Sequence, residues 1–147
     1  MAFPGGREEV TDVDLLATAH RETLEELSVQ IEGNCRLLGR LQDLTHPKLS
    51  VSAYVFAVKS PIEPVPNHEV AAVHWVPLAG FDQPEHWKEH TVTYQGVDRV
   101  LPIVWIGELD IWGISLHFIE QLRNKVKAVE QPIDPLAAVS AQPGQLL

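Results

Sequence analysis

Two rhythms of apolar and polar positions divide this chain. Between residues 12 and 27, Leu16, Ala19, Thr23, Leu24 and Leu27 lie away from an acidic sector at the spacing of a helix. Thr11 or Asp12 is the expected cap, with Asp14 in the first turn. The segment Val51 to Lys59 (VSAYVFAVK) is apolar on both alternating faces, the pattern of a buried central strand. Ser60 to Asn67 holds three prolines and reads as a loop. Glu69 to Leu78 (EVAAVHWVPL) is a second strand candidate, and a hairpin is expected around Gly96–Asp98, between Thr91–Gln95 and Arg99–Trp105. A second long helix is expected from Ile111 to Ala128, where Ile111, Ile114, Ser115, Phe118, Leu122 and Val126 recur at three- and four-residue steps. Strands bracketed by two amphipathic helices predict a mixed sheet covered on both sides. Beyond Glu130 the chain turns to Pro, Ala, Ser and Gln without periodicity, which predicts a domain over 1–129 and a mobile tail over 130–147.

Composition narrows the chemistry. With 147 residues, 45% of them apolar, the chain has room for one domain with a real core. Its 20 acidic and 11 basic residues give a formal charge of −9, which argues against general affinity for nucleic-acid backbone. A phosphate substrate stays open, because a metal ion reverses the sign of a local site. Cys35 is the single cysteine, so neither an intrachain disulfide nor a cysteine-rich zinc site is available. No apolar run approaches the roughly 18 residues of a membrane span, and MAFPGGREEV lacks the pattern of a signal peptide. These features read as a soluble, intracellular protein, with the compartment left open.

The acidic sector is the feature with chemical content. Glu22, Glu25 and Glu26 share roughly 100° of one helix face. Arg21 stands four residues before Glu25, a spacing that permits an ion pair. Crowded carboxylates suit a hard divalent cation, which polarises a bound phosphate and acidifies a bound water. The same spacing also describes an ordinary solvated face.

The surrounding run, FPGGREEVTDVDLLATAHRETLEELSV, resembles the Nudix box: a glycine turn, a helix and the signature Arg-Glu-x-x-Glu-Glu, here Arg21, Glu22, Glu25 and Glu26. Further stretches, Leu37–Leu44 (LLGRLQDL), Asn67–Leu78 (NHEVAAVHWVPL) and Ile111–Ser115 (IWGIS), look like the coenzyme A diphosphatase branch, so that residues 3 to 128 are covered. The fold that this resemblance implies is α/β, a Nudix-type α/β/α sandwich with a mixed sheet, truncated at its N-terminus. It implies Glu22 and Glu26 as ligands of Mg²⁺ or Mn²⁺, Glu25 as a further ligand or a base acting on water, and Arg21 as the residue that orients the carboxylates. It also implies that Gly5 and Gly6 turn the backbone tightly toward metal and phosphates. Glu69 would bring an additional acidic group toward the site.

The sequence departs from the box at several points. One extra residue separates Gly6 from Glu22, Asp12 or Asp14 replaces the usual Glu before the helix, and Ser28 stands where the box has glycine. Ser at a left-handed helix end costs energy, so a shifted helix exit is expected. The resemblance also implies strands ahead of the box, and the chain begins almost on it. The expectation is a fragment, or an incomplete domain that needs a partner or self-associates through exposed apolar surface.

Three functions fit these residues. The first is metal-dependent hydrolysis of a diphosphate linkage in a nucleoside diphosphate derivative, with coenzyme A or acyl-CoA as substrate. The second is a catalytically weak remnant that acts as a binding or interaction module. The third keeps the chemistry and changes the substrate to a nucleotide sugar or dinucleotide. The remaining residues of chemical interest read more plainly: His74 as a strand residue, His86 and His90 as no metal pair, Cys35 as a turn residue with no base nearby, and Trp112–Gly113 as a helix start.

Overall fold

Asp14, rather than Thr11 or Asp12, caps the first helix in the computed structural model, which describes residues 1–46, 48–94 and 96–130. Its backbone is extended and its Oδ1 accepts the Ala17 N–H at 2.7 Å, so α1 runs over Leu15–Leu27. The helix exit is not shifted. Ser28 takes the left-handed conformation itself, at φ 54°, and its N–H returns to the Leu24 carbonyl.

After α1 the chain makes one irregular turn, α2 (Ile31–Asn34), with Gly33 at φ 82°. Cys35 then opens a strand instead of sitting in the turn. β1 (Cys35–Arg40) pairs antiparallel with β4 (Tyr54–Val58), from Cys35 opposite Val58 to Arg40 opposite Tyr54. Between them β2 (Leu44–His46) and β3 (Leu49–Val51) form a small antiparallel pair. The strand expected over 51–59 is therefore broken: Val51 closes β3, and β4 starts at Tyr54. At the break Arg40 binds both the Asp43 carboxylate and the Ser52 hydroxyl. β4 is also not a buried central strand. β1 is its one ladder partner among the described residues, and its side chains are half-buried or exposed.

Residues 69–77 form no strand. Backbone N–H groups just before them, of Val65 and Asn67, are spent on α1 carbonyls, and no ladder partner lies beside them among the described residues. Burial there recurs at Val70, Val73 and Val76, every third position, where a half-buried strand would show every second. His74 is accordingly exposed in an irregular segment. The chain continues through 3-10 turns at Leu78–Asp82 and Pro84–His86.

The expected hairpin is present and longer than predicted. β5 (Trp87–Tyr94) pairs with β6 (Val97–Ile106), which pairs with β7 (Leu109–Trp112), all antiparallel. The second helix, α3, runs over Gly113–Glu130 and not from Ile111. Ile111 and Trp112 belong to β7, because Gly113 at φ 63° switches the chain from strand to helix only after them. The tail over 131–147 lies outside the described residues.

α3 closes over this sheet. Phe81, Val104, Ile111, Leu116 and Ile119 form the buried cluster, flanked by Val76, Trp87 and Ile106. The Trp87 indole N–H donates to the Phe81 carbonyl at 2.9 Å, and Asp82 binds both Arg123 and Lys127 of α3. The α/β class is as expected, and every ladder among the described residues is antiparallel.

α1 is covered less well. Leu16, Ala19 and Leu27 are half-buried, but Leu24, expected to pack on a sheet, is 51% exposed. The β1–β4 pair is reached at the His20–Phe56 ring contact, with centroids 5.6 Å apart. Leu37 and Leu38 are exposed as well. Among the described residues no helix is long and apolar enough to cross a membrane.

Candidate active site

The glycine turn lies directly on the acidic helix. Gly5 N–H donates to Glu26 Oε2 at 3.3 Å, and Gly5 holds φ 154°, a conformation that side chains disfavour. A Cβ on Gly6 would fall on the Glu22 carboxylate, so glycine is what permits this approach. Glu22 and Glu26 therefore face one backbone turn. The three glutamates are not equally exposed: Glu22 keeps 15% of its side-chain surface, Glu25 55%, and Glu26 is half-buried.

Arg21 organises the other side. Its Nη1 donates to Glu22 Oε1 at 3.0 Å and to Glu25 Oε2 at 3.3 Å, so the expected four-residue ion pair forms. Its strongest partner is Asp12, which accepts from Nε at 3.1 Å and Nη2 at 3.0 Å in a two-bond fork. Asp12 also accepts from the Thr18 hydroxyl and the Glu9 N–H, each at 2.9 Å. The Arg21 guanidinium, then the Glu9 amide, hold Asp12 well below its ordinary 3.8, at about 2. Asp12 in turn raises the pKa of Arg21 further above its usual range, so the guanidinium is permanently charged. Thr18 is buried, with its hydroxyl taken up by Asp12.

Glu69 approaches from the loop after β4. Asn67 N–H donates to the Glu26 carbonyl at 2.8 Å, Val65 N–H to the Leu27 carbonyl at 2.8 Å, and Asn67 Oδ1 accepts the Glu69 N–H at 2.9 Å. Burial first, then the carboxylates of Glu22, Glu69 and Glu25, push the Glu26 carboxyl above its ordinary value, against the lowering effect of the Gly5 amide. The Glu69 side chain itself is 67% exposed.

The donor set suits a hard cation. Glu22 and Glu26 supply carboxylate oxygens on one turn, and Mg²⁺ needs only one or two such ligands when phosphates and water complete its shell. Among the described residues no group of three His, Cys, Asp or Glu side chains stands ready around one point. Arg21 Nη1 instead occupies Glu22 and Glu25.

Sequence spacing found Arg21, Glu22, Glu25 and Glu26 together, and the structure adds Asp12, Thr18 and Asn67. Asp12 and Asn67 sit outside the helix, where its periodicity carries no information, and the Thr18 hydroxyl serves a residue ahead of the helix. The other candidates stay apart from the site. His86 Nδ1 pairs with the Gly80 carbonyl at 2.7 Å, His90 sits edge-on to Trp112, and Cys35 starts β1.

The chain resembles several known proteins in sequence. The chain is 29% identical over 132 residues to a Nudix hydrolase, NudL, of Enterobacter sp. strain 638, itself uncharacterized, covering 86% of this chain and 66% of that protein. The corresponding NudL of Klebsiella pneumoniae is 28% identical over 134 residues, 87% of this chain and 67% of that protein. An uncharacterized protein of Schizosaccharomyces pombe is 34% identical over 94 residues, 58% of this chain and 29% of that protein. The chain thus spans under a third of the yeast relative and about two thirds of the bacterial ones. The family model of the NUDIX domain matches residues 1–96, the stretch that holds the glycine turn, the acidic helix and Glu69. The chain belongs to the Nudix family.

Proposed function

We propose that this chain serves metal-dependent hydrolysis of a diphosphate linkage in a nucleoside diphosphate derivative, with coenzyme A or acyl-CoA as the favoured substrate. The observation that carries the reading is the seating of Glu22 and Glu26 against the Gly5–Gly6 turn. Those two carboxylates would hold Mg²⁺ or Mn²⁺. The bound ion would supply charge neutralisation on the diphosphate and a more acidic water.

The chain's own groups do the rest. The Gly6 backbone admits the Glu22 carboxylate, and the space beside Gly5 is open to phosphate oxygens. Arg21, locked in charge by Asp12, orients Glu22 and Glu25. Glu25, the most exposed of the three, takes the proton as water oxygen bonds to phosphorus and the phosphorus–oxygen bond of the anhydride breaks. Two phosphate monoesters leave; from coenzyme A these are adenosine 3′,5′-bisphosphate and a phosphopantetheine. Resemblance of Leu37–Leu44 and Asn67–Leu78 to the coenzyme A branch supports the substrate.

A second reading has its own observation. Arg21 engages both Glu22, an expected metal ligand, and Glu25, the expected base, which favours a weak remnant that binds diphosphates without turning them over. Incubating the chain with coenzyme A and Mg²⁺, with and without EDTA, separates the two. EDTA-sensitive release of phosphate monoesters, lost in Glu22→Gln, supports the hydrolase. Binding without release in a folded protein supports the module.

A further inference from the structure

The last carbonyls of a helix have no partner within it and must be satisfied from outside. At the end of α1 three N–H groups meet this demand: Ser28 on Leu24, Asn67 on Glu26 and Val65 on Leu27. Two of the three donors come from one distant loop, and one of their acceptors is the backbone of an expected metal ligand. Asn67 is the residue where this docking turns toward chemistry. Its backbone holds Glu26 at 2.8 Å, while its half-buried side chain accepts the Glu69 N–H at 2.9 Å. Val70 N–H closes onto the Asn67 carbonyl, so the turn carrying Glu69 hangs from this residue at both ends.

We infer that Asn67 is a positioning residue, which ties Glu69 to the backbone of Glu26 and so brings a loop carboxylate to the cation site of the acidic helix. The inference rests on the proposed hydrolase reading. Glu69 itself is 67% exposed, and among the described residues its one ion-pair contact is the likewise exposed His68 ring, 3.8 Å away. Among the described residues no hydrogen bond fixes this side chain, so its reach depends on the backbone from which it projects. That backbone is set by Asn67.

The side-chain and backbone contacts of Asn67 are separable. Asn67→Ala removes the acceptor for Glu69 N–H and keeps the N–H that bonds Glu26. Asn67→Ser restores a weaker acceptor of the same kind. Mn²⁺ binding to the whole 147-residue chain, followed by electron paramagnetic resonance of the free ion, reads the site without turnover. Asn67→Ala should weaken Mn²⁺ affinity about tenfold, the size typical of losing an orienting partner. Glu69→Gln should weaken it to a similar degree, and Asn67→Ser should recover part of the loss.

The deciding measurement is the double variant. If Asn67 acts through Glu69, adding Asn67→Ala to Glu69→Gln costs no further affinity. Additive losses would overturn the inference, as would Mn²⁺ affinity unchanged in a folded Asn67→Ala. Should Asn67→Ala lower the melting temperature too far for use, the Asn67→Ser and Glu69→Gln pair runs the same cycle. Glu22→Gln separates the two levels of argument. If it abolishes Mn²⁺ binding while the Asn67 variants do not alter it, only the positioning role fails. If Glu22→Gln leaves binding intact, the hydrolase reading and this inference fall together.

Discussion

Asp12 and Arg21, nine residues apart, are joined by two parallel hydrogen bonds of 3.1 and 3.0 Å. The carboxylate end of this fork keeps only 5% of its side-chain surface and is closed by Thr18 and the Glu9 amide. A planar guanidinium held this way loses its rotational freedom, so Nη1 points at Glu22 and Glu25 without further ordering cost. The segment before α1 is thereby fastened to the site it precedes.

That fork predicts a specific acid response. Asp12 has a folded pKa of about 2 against an ordinary 3.8, so its contribution to stability is full above 3.8 and is lost as pH falls toward 2. Asp12→Asn should lower the urea midpoint at about pH 6 and leave a shrinking difference from the parent as pH is brought toward about 2. A gap that stays constant over this range would show that the ionised form of Asp12 adds nothing to folding.

Gly6→Ala should damage the site and spare the fold. The added methyl collides with the mobile end of Glu22, which swings aside at little cost, and no backbone stands in the way. Melting temperature should stay near that of the parent, while Mn²⁺ affinity falls about 10–100-fold, as for other losses of ligand placement. Calorimetry and metal titration on the same sample check both halves.

Glu25→Gln and Glu22→Gln should fail differently. If Glu25 is the base, its loss lowers kcat about 100-fold or more with metal affinity and KM nearly kept. Glu22→Gln should instead weaken Mg²⁺ and Mn²⁺ binding, so that raising the metal concentration recovers part of the activity. Steady-state kinetics over a metal series distinguishes them; identical behaviour would remove the division of roles.

How far the sequence was readable follows from where each interaction lies. Glu22, Glu25 and Glu26 share one helix, so their spacing alone placed them together with Arg21. Asp12 was seen as a cap because capping is a local rule; its actual partner is fixed by how the 5–12 segment folds back. Glu69–Leu78 showed an apolar pattern without a partner among the described residues, and Val51–Lys59 found partners only at Val51 and over Tyr54–Val58; a strand exists only where a neighbour takes its hydrogen bonds. Ile111 fits both periods, a helix step before Ile114 and Ser115 and a strand step opposite Val104, and Gly113 decided between them.

Phe81→Ala should test the other half of the molecule. Phe81 is 1% exposed within the α3–sheet cluster, and its truncation should cost about 3–5 kcal/mol. Mn²⁺ affinity of the protein that remains folded should be unchanged, because the site lies elsewhere. Denaturant titration followed by metal binding below the transition provides the check.

The placement of that cluster has a dynamic consequence. All five of its buried residues, Phe81, Val104, Ile111, Leu116 and Ile119, follow residue 80, whereas every proposed site residue precedes residue 70. Side-chain ties such as the paired Gln42–Gln121 bonds are surface-exposed links between the halves. Amide protons of α1 should therefore exchange with solvent through local openings, at lower free energy than those of β6 and α3, which wait for global unfolding. A cation held by Glu22 and Glu26 would slow exchange in α1 and in the Asn67 turn by the factor that mass action sets, and leave the protection of α3 as it was.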